Sequence, residues 1–101
     1  EVIDVSHTGD SIPEDTHRLT ILPQPFISLT SDGEGVLVSH LRNNSKQYLM
    51  IVNRDILNAQ KVNLKIGSKS VRQIMPDGNA VKIKTTSPVI EPGRYVLYTW
   101  E

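Results

Sequence analysis

Short apolar runs separated by turn residues recur through most of the chain. The strongest cover residues 36–41, 48–53, 61–66, 71–75, 80–84 and 95–100. In the run 61–66 apolar and polar residues alternate strictly, with Val62, Leu64 and Ile66 on one side. Weaker runs, interrupted by proline, cover 2–6, 18–22 and 26–30. A repeat of two residues in short runs predicts β-strands.

The segments between the runs carry residues typical of tight turns. Asp77-Gly78 lies between two apolar runs and predicts a hairpin in which Gly78 adopts a positive φ. The segments 43–46 and 67–68 predict further hairpin turns. Helical periodicity is confined to 53–60, which is too short for a stable helix.

This spacing predicts an all-β fold, an antiparallel β-sandwich of about seven or eight short strands, of the immunoglobulin-like kind. The length of 101 residues is that of a single domain. We expect residues 35–101 to form the sandwich core. Residues 1–34, with prolines at positions 13, 23 and 25, are interpreted as an N-terminal strap, an edge strand or a linker.

Composition narrows the classes of partner. Eleven Lys and Arg balance eleven Asp and Glu, so the formal net charge at pH 7 is +0. We therefore expect neither nucleic acid nor a membrane as partner. The absence of cysteine excludes disulfides, zinc ribbons and a cysteine nucleophile. No signal-peptide pattern follows Glu1, and the simplest interpretation is a piece cut from a longer chain.

The polar residues contain no recognised catalytic motif. The spacing of His7, His17 and His40 matches no metal-ligand pattern, so we expect no metal and no cofactor. Asp32 and Glu34 lie together in a glycine-rich loop, whereas glycoside hydrolysis needs two acids facing each other across a cleft. We interpret them as turn residues and expect no catalytic residues in the domain. A glycosylation sequon begins at Asn43, and we assign it no function.

The aromatic residues of the last run are the candidate binding residues. Tyr98 and Trp100 are two positions apart, so they share one face of a strand. With Tyr95 they make a candidate carbohydrate-binding or domain-docking surface, because sugars stack on flat rings. The preferred interpretation is that Tyr98 and Trp100 fill the core, as aromatics on one face of a strand commonly do.

Two of the predicted strands, 48–53 and 95–100, are apolar on both faces. A sandwich strand needs only one apolar face, so the other requires a cover. We expect one face to carry Leu49, Ile51, Tyr95 and Leu97, and the other Met50, Val52, Tyr98 and Trp100. One set would be core, and the other would be covered by residues 1–30 or by a neighbouring domain.

Three segments in the second half of the chain resemble a known family. They are Tyr48-Leu49-Met50-Ile51-Val52-Asn53-Arg54, Val71-x-x-Ile74-x-Pro76-Asp77-Gly78-x-x-Val81 and Ile90-Glu91-Pro92-Gly93-Arg94-Tyr95-Val96-Leu97-Tyr98. In order and spacing they resemble the C-terminal β-sandwich domains of bacterial glycoside hydrolases, the all-β tails of α-amylase-like and β-galactosidase-like enzymes. The resemblance covers about residues 36–101, and it implies a sandwich like the C-terminal domain of amylases as the alternative to the immunoglobulin-like one. It implies that the catalytic carboxylates belong to a preceding barrel, so none is carried over to this chain.

The residue patterns and the family resemblance together predict a non-catalytic accessory domain. It would pack on and stabilise the parent catalytic domain of a bacterial glycoside hydrolase, and the resemblance implies a secreted or periplasmic location. One alternative is a carbohydrate-binding module that uses Tyr95, Tyr98 or Trp100. Another is an immunoglobulin-like or fibronectin-like adhesion domain. The partners expected are the parent domain and, for the binding module, carbohydrate.

Overall fold

The computed structural model describes residues 2–8, 18–19, 21–33, 35–68, 70–83 and 85–101. Nine strands and no helix are found in these ranges. The strands are β1 (Val2–His7), β2 (Phe26–Ser31), β3 (Val36–Asn43), β4 (Lys46–Asn53), β5 (Gln60–Ile66), β6 (Arg72–Ile74), β7 (Ala80–Lys82), β8 (Val89–Ile90) and β9 (Tyr95–Trp100). The short β8 is the strand that the sequence pattern does not predict.

The strands form two sheets. The large sheet has six strands in the order β1-β3-β4-β9-β6-β7, and the small sheet has three in the order β2-β5-β8. Every pair of neighbouring strands in these sheets is antiparallel. The predicted antiparallel β-sandwich is therefore confirmed.

The core lies between the inner faces of the two sheets. The buried apolar side chains are Phe26, Val36, Val38, Leu49, Ile51, Val62, Leu64, Val71, Ile90, Tyr98 and Trp100. Phe26 of the small sheet joins the two sheets, because its ring lies 5.7 Å from the ring of Tyr98 and 5.2 Å from that of Trp100. Tilted aromatic pairs at these distances stabilise a core beyond the area that they bury.

The grouping expected for the two apolar strands is wrong. Leu49 lies opposite Tyr98, and Ile51 lies opposite Val96, so Leu49 and Ile51 share the inner face with Tyr98 and not with Tyr95. The pattern of one strand shows which of its own residues share a face. It does not show which faces of two strands coincide, because that depends on the pairing register.

The turns at 43–46 and 76–79 close hairpins as expected. Asn44 has a φ of 58°, and Gly78 has the predicted positive φ of 89°. The Gly78 N–H donates to the carbonyl of Met75 at 2.8 Å, which closes a tight turn between β6 and β7. The hairpin expected at 67–68 is wrong, since β5 and β6 lie in different sheets and the chain crosses between them there. The segment 53–60 is likewise not helical.

The first part of the chain contributes to both sheets. β1 is an edge strand of the large sheet, where it pairs with β3, and β2 is an edge strand of the small sheet, where it pairs with β5. In the predicted strand 18–22 the structure has a single parallel bridge between Arg18 and His7, while Thr20 lies outside the described residues.

Two buried amide side chains connect the sheets at one end of the sandwich. The side chain of Gln60, at the start of β5, donates to the carbonyl of Gly35 at 2.8 Å and accepts from the N–H of Gly35 at 2.9 Å. It also donates to the Asn53 side chain at the end of β4. The Asn53 amide in turn donates to the carbonyls of Ile90 and Asn58, both at 2.9 Å. We call Asn53 and Gln60 the amide pair.

Gly35 must be glycine for this contact to exist. Its φ is +108°, and a Cβ built there would lie 1.9 Å from the carbonyl oxygen of Thr8. Thr8 is held in place by its own hydrogen bonds to Val36 and by the Arg54 guanidinium, which donates to the Thr8 carbonyl at 2.7 Å. The backbone of Gly35 is thus held between Thr8 and Gln60.

We expect Gln60→Ala to lower the free energy of unfolding by about 2 to 4 kcal/mol, because buried backbone groups of Gly35 and the Asn53 oxygen lose a partner. Lys61→Ala, at the exposed neighbouring position of the same strand, serves as the control and should change stability by less than about 0.5 kcal/mol. Urea denaturation measures both. Equal effects of the two substitutions would contradict the role given to the amide pair.

The positive φ of Gly78 gives a second expected effect on stability. A Cβ at Gly78 would meet no atom within 4 Å, so only the backbone conformation opposes a side chain. Gly78→Val should destabilise the domain by about 1 to 3 kcal/mol. Gly78→Asn should cost less, because asparagine tolerates the left-handed region. Equal melting temperatures of the two variants would show that residue 78 can adopt a negative φ in this turn.

Candidate binding surface

The outer faces of the two sheets differ in character. On the small sheet the outer face is mainly polar and exposed, and its residues include Ser28, Thr30, Lys61, Asn63 and Lys65. Val89 is an exposed apolar side chain there, paired with Lys61. This face can remain in water, as one face of an antiparallel sheet commonly does.

The outer face of the large sheet is apolar over most of its area. One row crosses all the strands, since Val5, Ser39, Met50, Leu97, Ile74 and Ala80 lie opposite one another in turn. A second row runs from the buried His7 through Leu37 and Val52 to Tyr95. A third begins with Leu41 and Tyr48 and becomes polar at Thr99 and Arg72. We call the apolar part of these rows the outer apolar face.

The three candidate aromatic residues do not form one surface. Tyr98 and Trp100 have exposed fractions of 0% and 5% and belong to the core, which is the interpretation preferred from the sequence. Tyr95 lies on the opposite face of the same strand and is 55% exposed. A binding surface built from all three rings is therefore corrected to Tyr95 alone, because Tyr98 is fully buried and only a small part of Trp100 reaches the surface, at the end of β9.

Two cavities lie along the seam between β6 and β9, one near each end. The first, of about 340 Å³, is lined by Ile74, Pro76, Arg94 and Tyr95 among others. The second, of about 400 Å³, is lined by Lys46, Arg72, Thr99 and Trp100 among others. We call them the Tyr95 cavity and the Arg72 cavity. The sequence pattern does not reveal either, because β6 and β9 are distant in the chain.

Of the histidines and acids considered as chemical groups, His7 is buried at 7% exposure, and His40 and Asp32 have structural partners. The His40 ring stacks on Trp100 at 5.9 Å and bonds to the Gln47 side chain at 2.8 Å. Asp32 accepts a hydrogen bond from the Lys61 N–H at 2.8 Å. His17 and Glu34 lie outside the described residues. In the described ranges no three His, Cys, Asp or Glu side chains come together to hold a metal ion.

The loop between β4 and β5 presents two apolar side chains to solvent. Ile56 and Leu57 are 82% and 81% exposed. The Asp55 carboxylate holds the loop by accepting from the N–H groups of Leu57 and Asn58. The hydrogen bond from the Leu57 backbone, helped by those from Asn58, lowers the pKa of Asp55. The loop is therefore ordered by hydrogen bonds rather than by burial.

Because Tyr98 is buried, we expect the stability of the folded domain to depend on pH in the alkaline range. The phenol oxygen has no hydrogen-bond partner among the described residues, and burial raises the pKa of Tyr98 to about 12. The unfolded chain loses this proton near pH 10, whereas the folded chain retains it up to about pH 12. The contribution of this tyrosine to stability therefore falls as the pH rises from about 10 to 12.

We expect Tyr98→Phe to be as stable as the wild type at pH 7, or up to about 1 kcal/mol more stable, since it removes an unpaired buried hydroxyl. Above pH 10 the variant should lose less stability than the wild type. Denaturant unfolding of both proteins at pH 7, 10 and 11 checks this. A loss of more than about 1 kcal/mol at pH 7 would indicate that the hydroxyl has a partner.

The described part of the chain has no helix of the length and apolar character needed to cross a membrane. Comparison of the chain with models of protein families, with curated proteins and with solved structures finds no match.

Proposed function

We propose that this chain is a non-catalytic accessory β-sandwich that packs on the catalytic domain of a bacterial glycoside hydrolase. The observation that carries the proposal is the outer apolar face of the large sheet. Apolar side chains extend over it in rows, whereas the outer face of the small sheet is mainly polar. A difference of this kind between two outer faces is typical of a domain with one permanent neighbour.

The proposed docking surface is centred on Met50 and Leu97, and Tyr95 is its most exposed aromatic residue. Met50 and Leu97 lie opposite each other at the middle of the large sheet, on its central pair of strands β4 and β9. Tyr95, at one end of β9, exposes about half of its surface, and large aromatic side chains often anchor interfaces. Burial of this face by a partner stabilises the pair at about 25 cal/mol for each Å² removed from water.

The identity of the partner rests on the resemblance of three segments to the tail domains of glycoside hydrolases. In those enzymes the tail follows a catalytic barrel that holds the catalytic carboxylates. The same resemblance supports a secreted or periplasmic location. In this proposal the chain's contribution to the enzyme is stability of the barrel and not chemistry.

Expression of the complete open reading frame tests the proposal. The full protein should contain a catalytic domain, and Met50→Glu should lower the melting temperature of that domain by several degrees, because it places a charge in the interface. The matched control is Val89→Glu, which adds the same charge at an exposed apolar position of the small sheet. Melting of the 101-residue chain with each substitution shows whether the sandwich itself remains folded.

Differential scanning calorimetry and activity of the full protein after heating provide the readouts. A stable sandwich whose Met50→Glu variant leaves the catalytic domain unchanged would contradict docking through this face. An open reading frame that encodes no catalytic domain would contradict the assignment altogether and would favour the adhesion alternative.

The Tyr95 cavity supports a carbohydrate-binding module as the second candidate. The exposed Tyr95 ring lies beside Ile74 and Pro76, with Arg94 and Gln73 as polar neighbours. Such a combination suits a sugar, whose C–H face stacks on a ring while polar groups bind its hydroxyls. Binding of an oligosaccharide that is lost in Tyr95→Ala and retained in Met50→Glu would favour this candidate over docking.

A further inference from the structure

The Arg72 cavity lies where the pairing of β6 with β9 ends. Arg72 is the first residue of β6 and lies opposite Thr99. Beyond this pair β9 continues to Trp100, and Ser70 lines the space left beside it. Lys46, the first residue of β4, lies on the other side of the same strand end. Termination of one strand before its neighbour thus leaves a cavity of about 400 Å³.

Two cationic side chains line this cavity. The hydrogen bonds and ring contacts among the described residues involve neither the Arg72 guanidinium nor the Lys46 ammonium. Glu101 brings acidic groups to the same lining, its side-chain carboxylate and, in the 101-residue chain, the terminal carboxylate. A guanidinium binds a carboxylate or a phosphate through two parallel hydrogen bonds, and a nearby lysine adds a second positive charge. Arg72 and Lys46 therefore supply the groups of the lining that can bind an anion.

The remaining polar groups suit a ligand that also carries hydroxyls. The Thr99 hydroxyl donates to the Gln47 carbonyl at 3.0 Å, which leaves its lone pairs to accept a hydrogen bond. The Ser70 hydroxyl is 2.8 Å from that of Ser68, and Glu101 supplies acceptors. An anion that has no hydroxyl groups can bind the two cations but cannot donate a hydrogen bond to the neighbouring acceptor oxygens. The hydroxyls of a sugar can donate to these oxygens.

We infer that the Arg72 cavity binds a small polyhydroxylated anion, namely a sugar acid or a sugar phosphate. The volume of the cavity lies in the range of small-molecule sites. The anionic group binds Arg72 and Lys46, and the ring hydroxyls face Thr99, Ser70 and Glu101. This site is separate from the Tyr95 cavity and does not depend on docking to another domain, because all of its groups belong to this chain.

The single tryptophan of the chain reports on this site directly. Trp100 lines the cavity, so a bound ligand should change its fluorescence. Titration with glucuronate, glucose 6-phosphate and glucose, at one ionic strength, compares a carboxylate, a phosphate and a neutral sugar. Either anion or both should give a saturable change, and glucose should bind at least tenfold more weakly. Inorganic phosphate is the fourth titrant, and it should also bind more weakly than the better sugar anion.

Substitutions in the lining and outside it complete the test. Arg72→Gln should weaken binding of the better anion about tenfold, as expected for loss of a charge-assisted contact, and Lys46→Gln should weaken it severalfold. Lys61→Gln, an exposed lysine of the small sheet, is the matched control and should leave binding unchanged. The affinity should also fall when NaCl is raised from 50 to 500 mM, because salt screens exposed charges.

Three results would overturn the inference. Equal binding of glucose and glucuronate would show that charge plays no part, and equal binding of inorganic phosphate would show that the hydroxyls play none. Retention of full affinity by Arg72→Gln, with the melting temperature of the wild type, would place the ligand elsewhere. Because these measurements use the 101-residue chain alone, their outcome is independent of the docking experiment.

Discussion

The hydrogen bonds of the Asn53–Gln60 amide pair are the interaction on which the arrangement of the two sheets depends. Gln60 begins a strand of the small sheet, and Asn53 ends a strand of the large one. Each side chain is 1% exposed and has its oxygen and nitrogen paired. Buried polar groups are costly without partners, so only one relative placement of the strands is favourable.

This constraint complements the apolar core rather than duplicating it. Packing of Phe26 against Tyr98 and Trp100 attracts the two sheets, but apolar contacts are weakly directional. The contact between Gln60 and Gly35 is directional at both backbone atoms. The core therefore supplies most of the stability, while the amide pair selects how the sheets are joined at one end.

The unequal outer faces connect the fold to its proposed role. Met50 and Leu97 lie on the outer face because their neighbours Leu49 and Tyr98 occupy the core, and the side chains of a strand alternate between faces. A free-standing sandwich would carry polar residues at such positions, as the small sheet does at Lys61 and Lys65. Under the proposal, the apolar residues at these positions pack against the partner domain and not within the sandwich.

The local pattern of apolar, polar and turn residues was sufficient to predict most strands and two of the hairpin turns. Alternation in 61–66 predicts which side of β5 is buried, and the residues of 76–79 predict a hairpin with Gly78 at positive φ. Local pattern was insufficient where a polar residue is buried by partners distant in the chain. Nothing around Asn53 or Gln60 indicates that their side chains lie in the interior, and the short helix considered for 53–60 is instead a loop between the two amides.

The sequence by itself determined eight of the nine described strands, the turns at 43–46 and 76–79 and the two-sided character of β4 and β9, because these depend on residues adjacent in the chain. Only the tertiary structure decided that Leu49 pairs with Tyr98, that Tyr95 faces outward and that Arg72 and Lys46 line one cavity. These features depend on the register between strands and on the sheet in which each strand lies. The physical reason is that register and sheet assignment arise from the packing of the whole domain, whereas alternation and turn preference arise within a few residues.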